Sequence, residues 1–429
     1  MSGLDLASTT AALRSGARSL ADYLDELETR FARVEPKVHA FVPEADRFER
    51  LRVEAKELIS RFPKGSERPP LFGVPIGVKD IFHVDGFATA AGSRLPPEEL
   101  AGPEAEVVTQ LRSAGALVLG KTATTEFAYF APAATRNPHD PAHTPGGSSS
   151  GSAAAVAAQL CPLTLGTQTI GSISRPASYC GVVGYKPSYE RVSRAGVIPL
   201  APSVDHVGFF SPDVAGTERV ASIVGANWKS VYEERPPILG IPGGPYLRRA
   251  ANGGRAFFRA LCLRLSQLGY DIRRVDAMPD FEGVELRHRA IVAAEAARVH
   301  ADWYERFRDL YHPKTASLIE EGLAISDSEL QTALVGCEDL RHELEGLRQQ
   351  AKVDVWISPA APGIAPHGLD STGDPIMNLP WTHAGLPTLS IPVRTAGLPQ
   401  GLQVAAGWMQ DERLFGWGRR LEQALSAPA

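Results

Sequence analysis

Three residues in this chain are of types that can do chemistry together: Lys79, Ser148 and Ser172. Lys79 closes an apolar run, LFGVPIGVKD over 71–80. Ser148 lies in the Gly/Ser tract TPGGSSSG over 144–151, and Ser172 follows 24 residues later in GTQTIGSISRPA over 166–177. A lysine and two serines can supply a base, a relay and a nucleophile with no His or Asp beside them. Lysine serves as a base only if its pKa falls well below about 10.4, and burial at the end of an apolar strand lowers it by disfavouring the ammonium. The turn at 169–171, just before Ser172, can aim several backbone N–H groups at one point, as an oxyanion requires. The Gly/Ser tract leads into an Ala-rich helix whose positive end and hydroxyls lie beside Ser148. Together these point to a serine hydrolase acting on amides. Taken singly, each has a plainer reading: a solvated Lys–Asp pair, a loop or phosphate cradle, a simple turn. Neither GxxxxGK[ST] nor a GxGxxG with a suitably placed acid is present, which argues against nucleotide binding.

These residues need a scaffold. Helical periodicity covers 20–33, with Ser19 as its cap, and 43–60. Residues 61–70 are rich in breakers and read as a linker. Strands are expected at 74–78, 116–119 (ended by Gly120) and 163–166, alternating with helices at 104–113 and 149–160. Further on, strands at 238–241 and 270–275 flank a helix at 256–268. Long helices follow at 284–307 and 327–350, then strands at 353–357, 388–393 and 402–406, and a last helix from Asp411 to about 425. The alternation implies an α/β fold: a single large domain with a mixed, mostly parallel β-sheet core covered by helices on both faces. Within one domain spanning 1–429, we distinguish N-terminal helices (1–60), a catalytic core (71–210) and a variable helical section (280–350) near the active-site mouth.

Bulk properties narrow the function. A net charge of −5 gives no general attraction to nucleic acid or anionic membranes. Cys161, Cys180, Cys262 and Cys337 form no CxxC pair and read as buried free thiols. His139 and His143 have metal-like spacing but no third ligand near, so no metal is expected. The opening residues have neither a basic start nor an apolar core, and no stretch is long and apolar enough to span a bilayer. A cytoplasmic protein with no membrane contact is expected.

The motifs together resemble the amidase signature family, over roughly 5–425 and most specifically at 71–80 and 122–187. The family patterns GGSSxGSAAAVA, GTxTxGSxxxP and CGxxGxKP stand here at 146–157, 166–176 and 180–187, and MNLPWTHAGLPT (377–388) and GLPQGLQ (397–403) are also similar. The resemblance implies a Ser–cis-Ser–Lys triad. Ser172 would be the acylated nucleophile, Ser148 the relay following a cis Gly147–Ser148 peptide, and neutral Lys79 the base. Ser149, Ser150 and Thr169 would hold the network, and backbone groups of Thr169, Ile170, Gly171 and Ser172 would form the oxyanion hole.

Departures from the pattern bear on substrate. Where many members have Asp, Gly and Arg, this chain has Gln168, Ile170 and Ser174, with an arginine at Arg175 instead. Gln168 with Arg175, and VGFF at 207–210, resemble the malonamidase branch, whose matching arginine binds a substrate carboxylate; a guanidinium gives a carboxylate two parallel hydrogen bonds. Arg175, Gly147 and Tyr129 are therefore the substrate-binding candidates, with 127–130, 280–350 and 374–382 setting specificity. A turn needing φ > 0 at 170 would suit isoleucine poorly; otherwise Ile170 narrows the pocket. The expected activity is cofactor-free cleavage of a small-molecule amide, one carrying a carboxylate if Arg175 binds it, to acid plus ammonia or amine. A homodimer is common among relatives. The alternatives are a glutaminase component of a tRNA-dependent amidotransferase and a non-catalytic amidase-like protein.

Overall fold

The computed structural model describes residues 5–233 and 235–426; the first four residues of the opening segment read for a leader lie outside them. Ten strands make one sheet: β1 (Pro75–Lys79), β2 (Leu117–Thr122), β3 (Leu163–Gln168), β4 (Val183–Lys186), β5 (His206–Ser211), β6 (Leu239–Gly243), β7 (Ile272–Asp276), β8 (Val355–Pro359), β9 (Thr388–Val393) and β10 (Gln400–Ala405). Their order across the sheet is β2-β1-β3-β5-β4-β9-β10-β8-β6-β7. The sheet is mixed, but parallel pairing does not dominate it. Four neighbour pairings, at the two ends, are parallel, and the five through the middle are antiparallel. One reason is local: β9 and β10 are joined by the short turn 394–399, which permits only antiparallel neighbours. The other is β4 and β5, which the alternation pattern did not predict. β5 inserts between β3 and β4 and runs against both.

Helices cover both faces. Leu163, Leu165, Ile76 and Val78 belong to one large buried cluster, while Leu117, Leu119 and Phe210 join a second with Ala153–155 of the helix Ser150–Ala157. That helix is buried from Ser150 to Val156, and its two serines donate to the Gly146 and Leu165 carbonyls. The Ser19 hydroxyl accepts from Asp22 N, capping its helix as expected, and Ser326 forms a capping box with Glu329 ahead of Asp327–Gln350. Three sequence expectations change. β2 runs through Gly120 with a register shift instead of stopping there. The helix expected over 284–307 is two, Phe281–Val299 and Ala301–Phe307, broken at His300, whose buried ring bonds the Tyr311 hydroxyl and packs on Phe127. A helix at Pro313–Leu323 was not anticipated.

No helix is long and apolar enough to cross a membrane among the described residues. Cys161, Cys180 and Cys337 are buried free thiols and Cys262 is half-buried. His139 hydrogen-bonds the Cys180 carbonyl and His143 lies 3.1 Å from Asp140. Among the described residues no His, Cys, Asp and Glu side chains cluster in a way that would hold a metal ion.

Candidate active site

Lys79 is the last residue of β1, and the parallel neighbour β3 presents Thr167 to it. This close approach needs Gly77 on β1: a Cβ there would come within 2.8 Å of Thr122 Cγ2 and 2.9 Å of Thr164 Cγ2. The Lys79 side chain is fully buried, and its Nζ donates to Ser148 Oγ and Thr167 Oγ1, each at 2.8 Å. Burial pushes its pKa down to about 7, against a smaller opposing pull from Asp205. Near neutral pH a large fraction of Lys79 is therefore the free amine, which has a lone pair to offer. Asp80 does not pair with Lys79 in solvent. It forms a buried salt bridge with Lys121, 2.9 Å, so Lys79 keeps no carboxylate partner of its own.

Ser148 follows a cis Gly147–Ser148 peptide. Its neighbours fix the tract on both sides. Ser149 Oγ donates to the Thr167 carbonyl and accepts from Thr167 N, while Ser150 Oγ donates to the Gly146 carbonyl at 2.8 Å. Thr167 thus holds both the lysine and the serine tract. It stands in the GTQT motif, but its spacing alone assigned it no part.

The turn before Ser172 is held by its carbonyls. Thr382 Oγ1 donates to the Ile170 carbonyl, 2.7 Å, and accepts from Gln168 Nε2, 2.9 Å. Gln168 Oε1 accepts from Ile173 N and Ser174 N, so the residue that departs from the usual Asp caps the start of the helix Ser174–Cys180. In a trans peptide the N–H points opposite to the C=O. Pinning the Ile170 carbonyl on Thr382 therefore turns the Gly171 N–H the other way. Among the described residues, the N–H groups of Ile170, Gly171 and Ser172 take no intramolecular partner. Neither Ile170 nor Gly171 has positive φ, so isoleucine fits the turn without strain. Ile170 packs between two apolar clusters. Glycine at 171 is required by space: a Cβ would meet Asn378 Oδ1 at 2.4 Å. Thr169 Oγ1 donates to Asp205 at 2.5 Å, a carboxylate that also accepts from Leu200 N and Ala201 N. Burial raises the Asp205 pKa to about 6.

Ser148, Thr169, Ile170, Gly171 and Ser172 line one narrow cavity together with Tyr129, Phe130 and Arg175. Its volume is about 10 Å³, room for one water molecule. A larger cavity, about 330 Å³ and mostly apolar, shares Ala128, Thr169 and Leu200 with it and reaches Thr167 and Asp205. Phe127 and Ala128, in the loop that forms this wall, both sit at positive φ (45° and 60°), a strained pair next to the site. Gly147 does not line the narrow cavity. Its carbonyl accepts from Arg175 Nη2 at 2.6 Å. Arg175 is 1% exposed and donates also to the Gly373 carbonyl and Thr372 Oγ1, so every oxygen it binds is neutral. Its Nε is buried without a partner, and burial lowers its pKa to about 10. No carboxylate bonds this guanidinium, and Asp374 opposes its charge only from a distance.

Comparison with known proteins identifies the family and the fold. The amidase family model matches residues 22–251. Curated relatives include a glutamyl-tRNA(Gln) amidotransferase subunit from Synechococcus sp. (strain WH7803), 31% identical over 96% of this chain and 95% of that protein. The corresponding chloroplastic/mitochondrial protein from Zea mays is 32% identical over 96% and 87%. A crystal structure of an amidase superposes with a TM-score of 0.90 at 32% identity, covering 99% of this chain and all of that one. A family model over more than half the chain, full-length relatives and a shared fold lead to one conclusion: this chain belongs to the amidase signature family, enzymes that cleave amide C–N bonds.

Proposed function

We propose that this protein hydrolyses a small amide through an acyl-enzyme on Ser172, with Ser148 as relay and Lys79 as base. The observation that carries the reading is Lys79 Nζ, fully buried and 2.8 Å from Ser148 Oγ, with Ser148 and Ser172 on one cavity. Ser172 Oγ attacks the carbonyl carbon. Its proton passes to Ser148 Oγ, whose own proton passes to neutral Lys79. The oxyanion develops against the backbone N–H groups of Ile170, Gly171 and Ser172, each such donor being worth roughly 3–4 kcal/mol of barrier. Collapse breaks the C–N bond, and the leaving amine takes the proton back from Lys79 through Ser148. Water then deacylates Ser172 by the reverse relay. The narrow cavity at Ser172 has room for the water of deacylation, and the larger one beside Thr167 has room for a small amide.

Arg175 gives the substrate a further feature. A buried guanidinium bound only to neutral oxygens, lining the same narrow cavity as Ser172, suits a carboxylate on the substrate. The amidotransferase components found as relatives favour a second reading, a glutaminase that acts only with partner proteins. One experiment separates the two: ammonia release by the purified chain alone from carboxylated, neutral aliphatic and aryl amides and from glutamine, beside Ser172→Ala. Turnover of simple amides, lost in the variant, supports the proposal. Silence without partners on every amide rejects it in favour of the second reading.

A further inference from the structure

The Ile170 carbonyl is held by Thr382; the carbonyl before it, on Thr169, is held from another helix. His288, in Phe281–Val299, lies with Nε2 3.0 Å from Thr169 O. A carbonyl can only accept, so this nitrogen carries the proton and donates. The other ring nitrogen, Nδ1, is then a lone pair. It lies 3.2 Å from Nδ1 of His383, which must supply the hydrogen between them. His383 is the residue after Thr382, at the end of Leu379–His383, and Cys337 Sγ lies 3.4 Å from the same nitrogen. Both imidazoles are buried, and burial keeps His288 neutral, with its pKa lowered to about 4. Two successive carbonyls of one turn are thus gripped from outside by side chains of two neighbouring helices. By peptide planarity, fixing the Thr169 carbonyl on His288 turns the Ile170 N–H to the opposite side, and Ile170 lines the same narrow cavity as Ser172.

We infer that His288 is a positioning residue for amide hydrolysis: its Nε2–H anchors the Thr169 carbonyl and so aims the Ile170 N–H at the developing oxyanion, with His383 fixing its tautomer. The inference rests on the proposed acyl-enzyme at Ser172. It also ties the helical section that begins near 280 to the chemistry, through a contact spanning 119 residues of chain.

The test needs no identified substrate. A fluorophosphonate labels an activated serine and places an oxygen where the oxyanion forms. Glutamine's amide nitrogen reaches the place of Nε2, whereas asparagine's amide reaches only the place of Nδ1, where its oxygen can accept from His383. His288→Gln therefore keeps the donor to Thr169, and His288→Asn keeps only the contact with His383. The expected labelling rates at Ser172 are within about threefold of wild type for His288→Gln and slower by about tenfold or more for His288→Asn, with similar thermal midpoints for the two. Equal rates in the two variants, both fast or both slow, would overturn the inference while leaving Ser172 chemistry intact. If His288→Asn yields no folded protein, His288→Phe, which also lacks the donor, takes its place with the same expected slowing. Failure of wild type to label, with Ser172→Ala as the blank, would overturn the acyl-enzyme reading and this inference with it.

Discussion

Two lysines in this protein share almost every local property and differ in what they touch. Lys79 ends β1 and Lys186 ends β4; both are fully buried, and burial pushes both down to about 7. Lys79 donates to two hydroxyls, one of them on the wall of the cavity that holds Ser172. Lys186 donates to the Pro187 carbonyl at 2.8 Å, with Asp411 as its nearest opposing charge. The oxygens of Asp411 are already taken by Tyr185 OH, Ser188 N and Ser188 Oγ. A lowered pKa therefore does not make a base. A neutral amine needs a proton to take, and only Lys79 is bonded to a group that carries one. The largest expected effect follows from this. Lys79→Met should slow Ser172 labelling and turnover by about 10³-fold or more, and Lys186→Met should leave both within about threefold. A folded Lys186→Met protein as inert as Lys79→Met would break the comparison.

This comparison also shows what was legible in the sequence. Burial of Lys79 at a strand end was readable from LFGVPIGVKD, and by the same reading VVGYKP gives Lys186. Telling them apart needed the motif order around Ser148 and Ser172, which short-range patterns carry. Elements with strong local signals appeared where expected: Asp327–Gln350 behind its capping box and β9 at Thr388–Val393. β4 and β5 were missed because β4 has only four residues and their antiparallel pairing depends on distant partners. The residues that steady the site were missed for the same reason. Thr382 reaches Ile170 across 212 positions and His288 reaches Thr169 across 119, and no spacing rule links them. Asp205 reads from sequence as one more acid in a loop.

A third buried cation extends the comparison. Arg175, like Lys186, is bonded only to neutral acceptors, but it lines the cavity that Lys79 reaches through Ser148. If facing the cavity is what separates function from structure, Arg175→Ala should raise KM for carboxylated amides by about 10–100-fold, the value of one charge-assisted contact. Neutral amides of the same size should lose less. Because Arg175 also holds the Gly147 carbonyl, some fall in kcat is expected for both classes. An unchanged KM for carboxylated amides would place Arg175 with Lys186.

Lys186 makes its own prediction, in stability. Its folded pKa, about 7, lies below the ordinary lysine value of 10.5. Between these values the unfolded chain holds a proton that the folded chain does not, so stability rises with pH. Below about 7 both forms are protonated and the burden of the buried charge is full; above about 10.5 it is gone. Lys186→Met should therefore stabilise the protein by about 1–3 kcal/mol at pH 6.5 and by much less at pH 10. Denaturant midpoints of variant and wild type at the two pH values decide it. A gain that grows with pH would mean that Lys186 is not carrying a buried proton at neutral pH.

The finest difference between the two lysines is Thr167. Lys186 binds a main-chain carbonyl that mutation cannot remove, but the second acceptor of Lys79 is a side chain, so its share can be measured. An oxygen that accepts from Nζ stabilises the ammonium more than the amine, because the charge-assisted bond is the stronger one. Thr167→Val keeps the shape and removes that acceptor. The Lys79 pKa should then fall below its present value of about 7, and the rising limb of the pH–rate profile should shift to lower pH by about half a unit. The plateau should drop by about threefold, because Nζ is held toward Ser148 by one contact fewer. Thr167→Ser should restore both. The check is Ser172 labelling from pH 5 to 9 in the three proteins. A limb that stays in place in Thr167→Val would mean that Thr167 holds the serine tract and not the base. A limb that moves to higher pH would mean that Lys79 is not the group whose ionisation the profile reports.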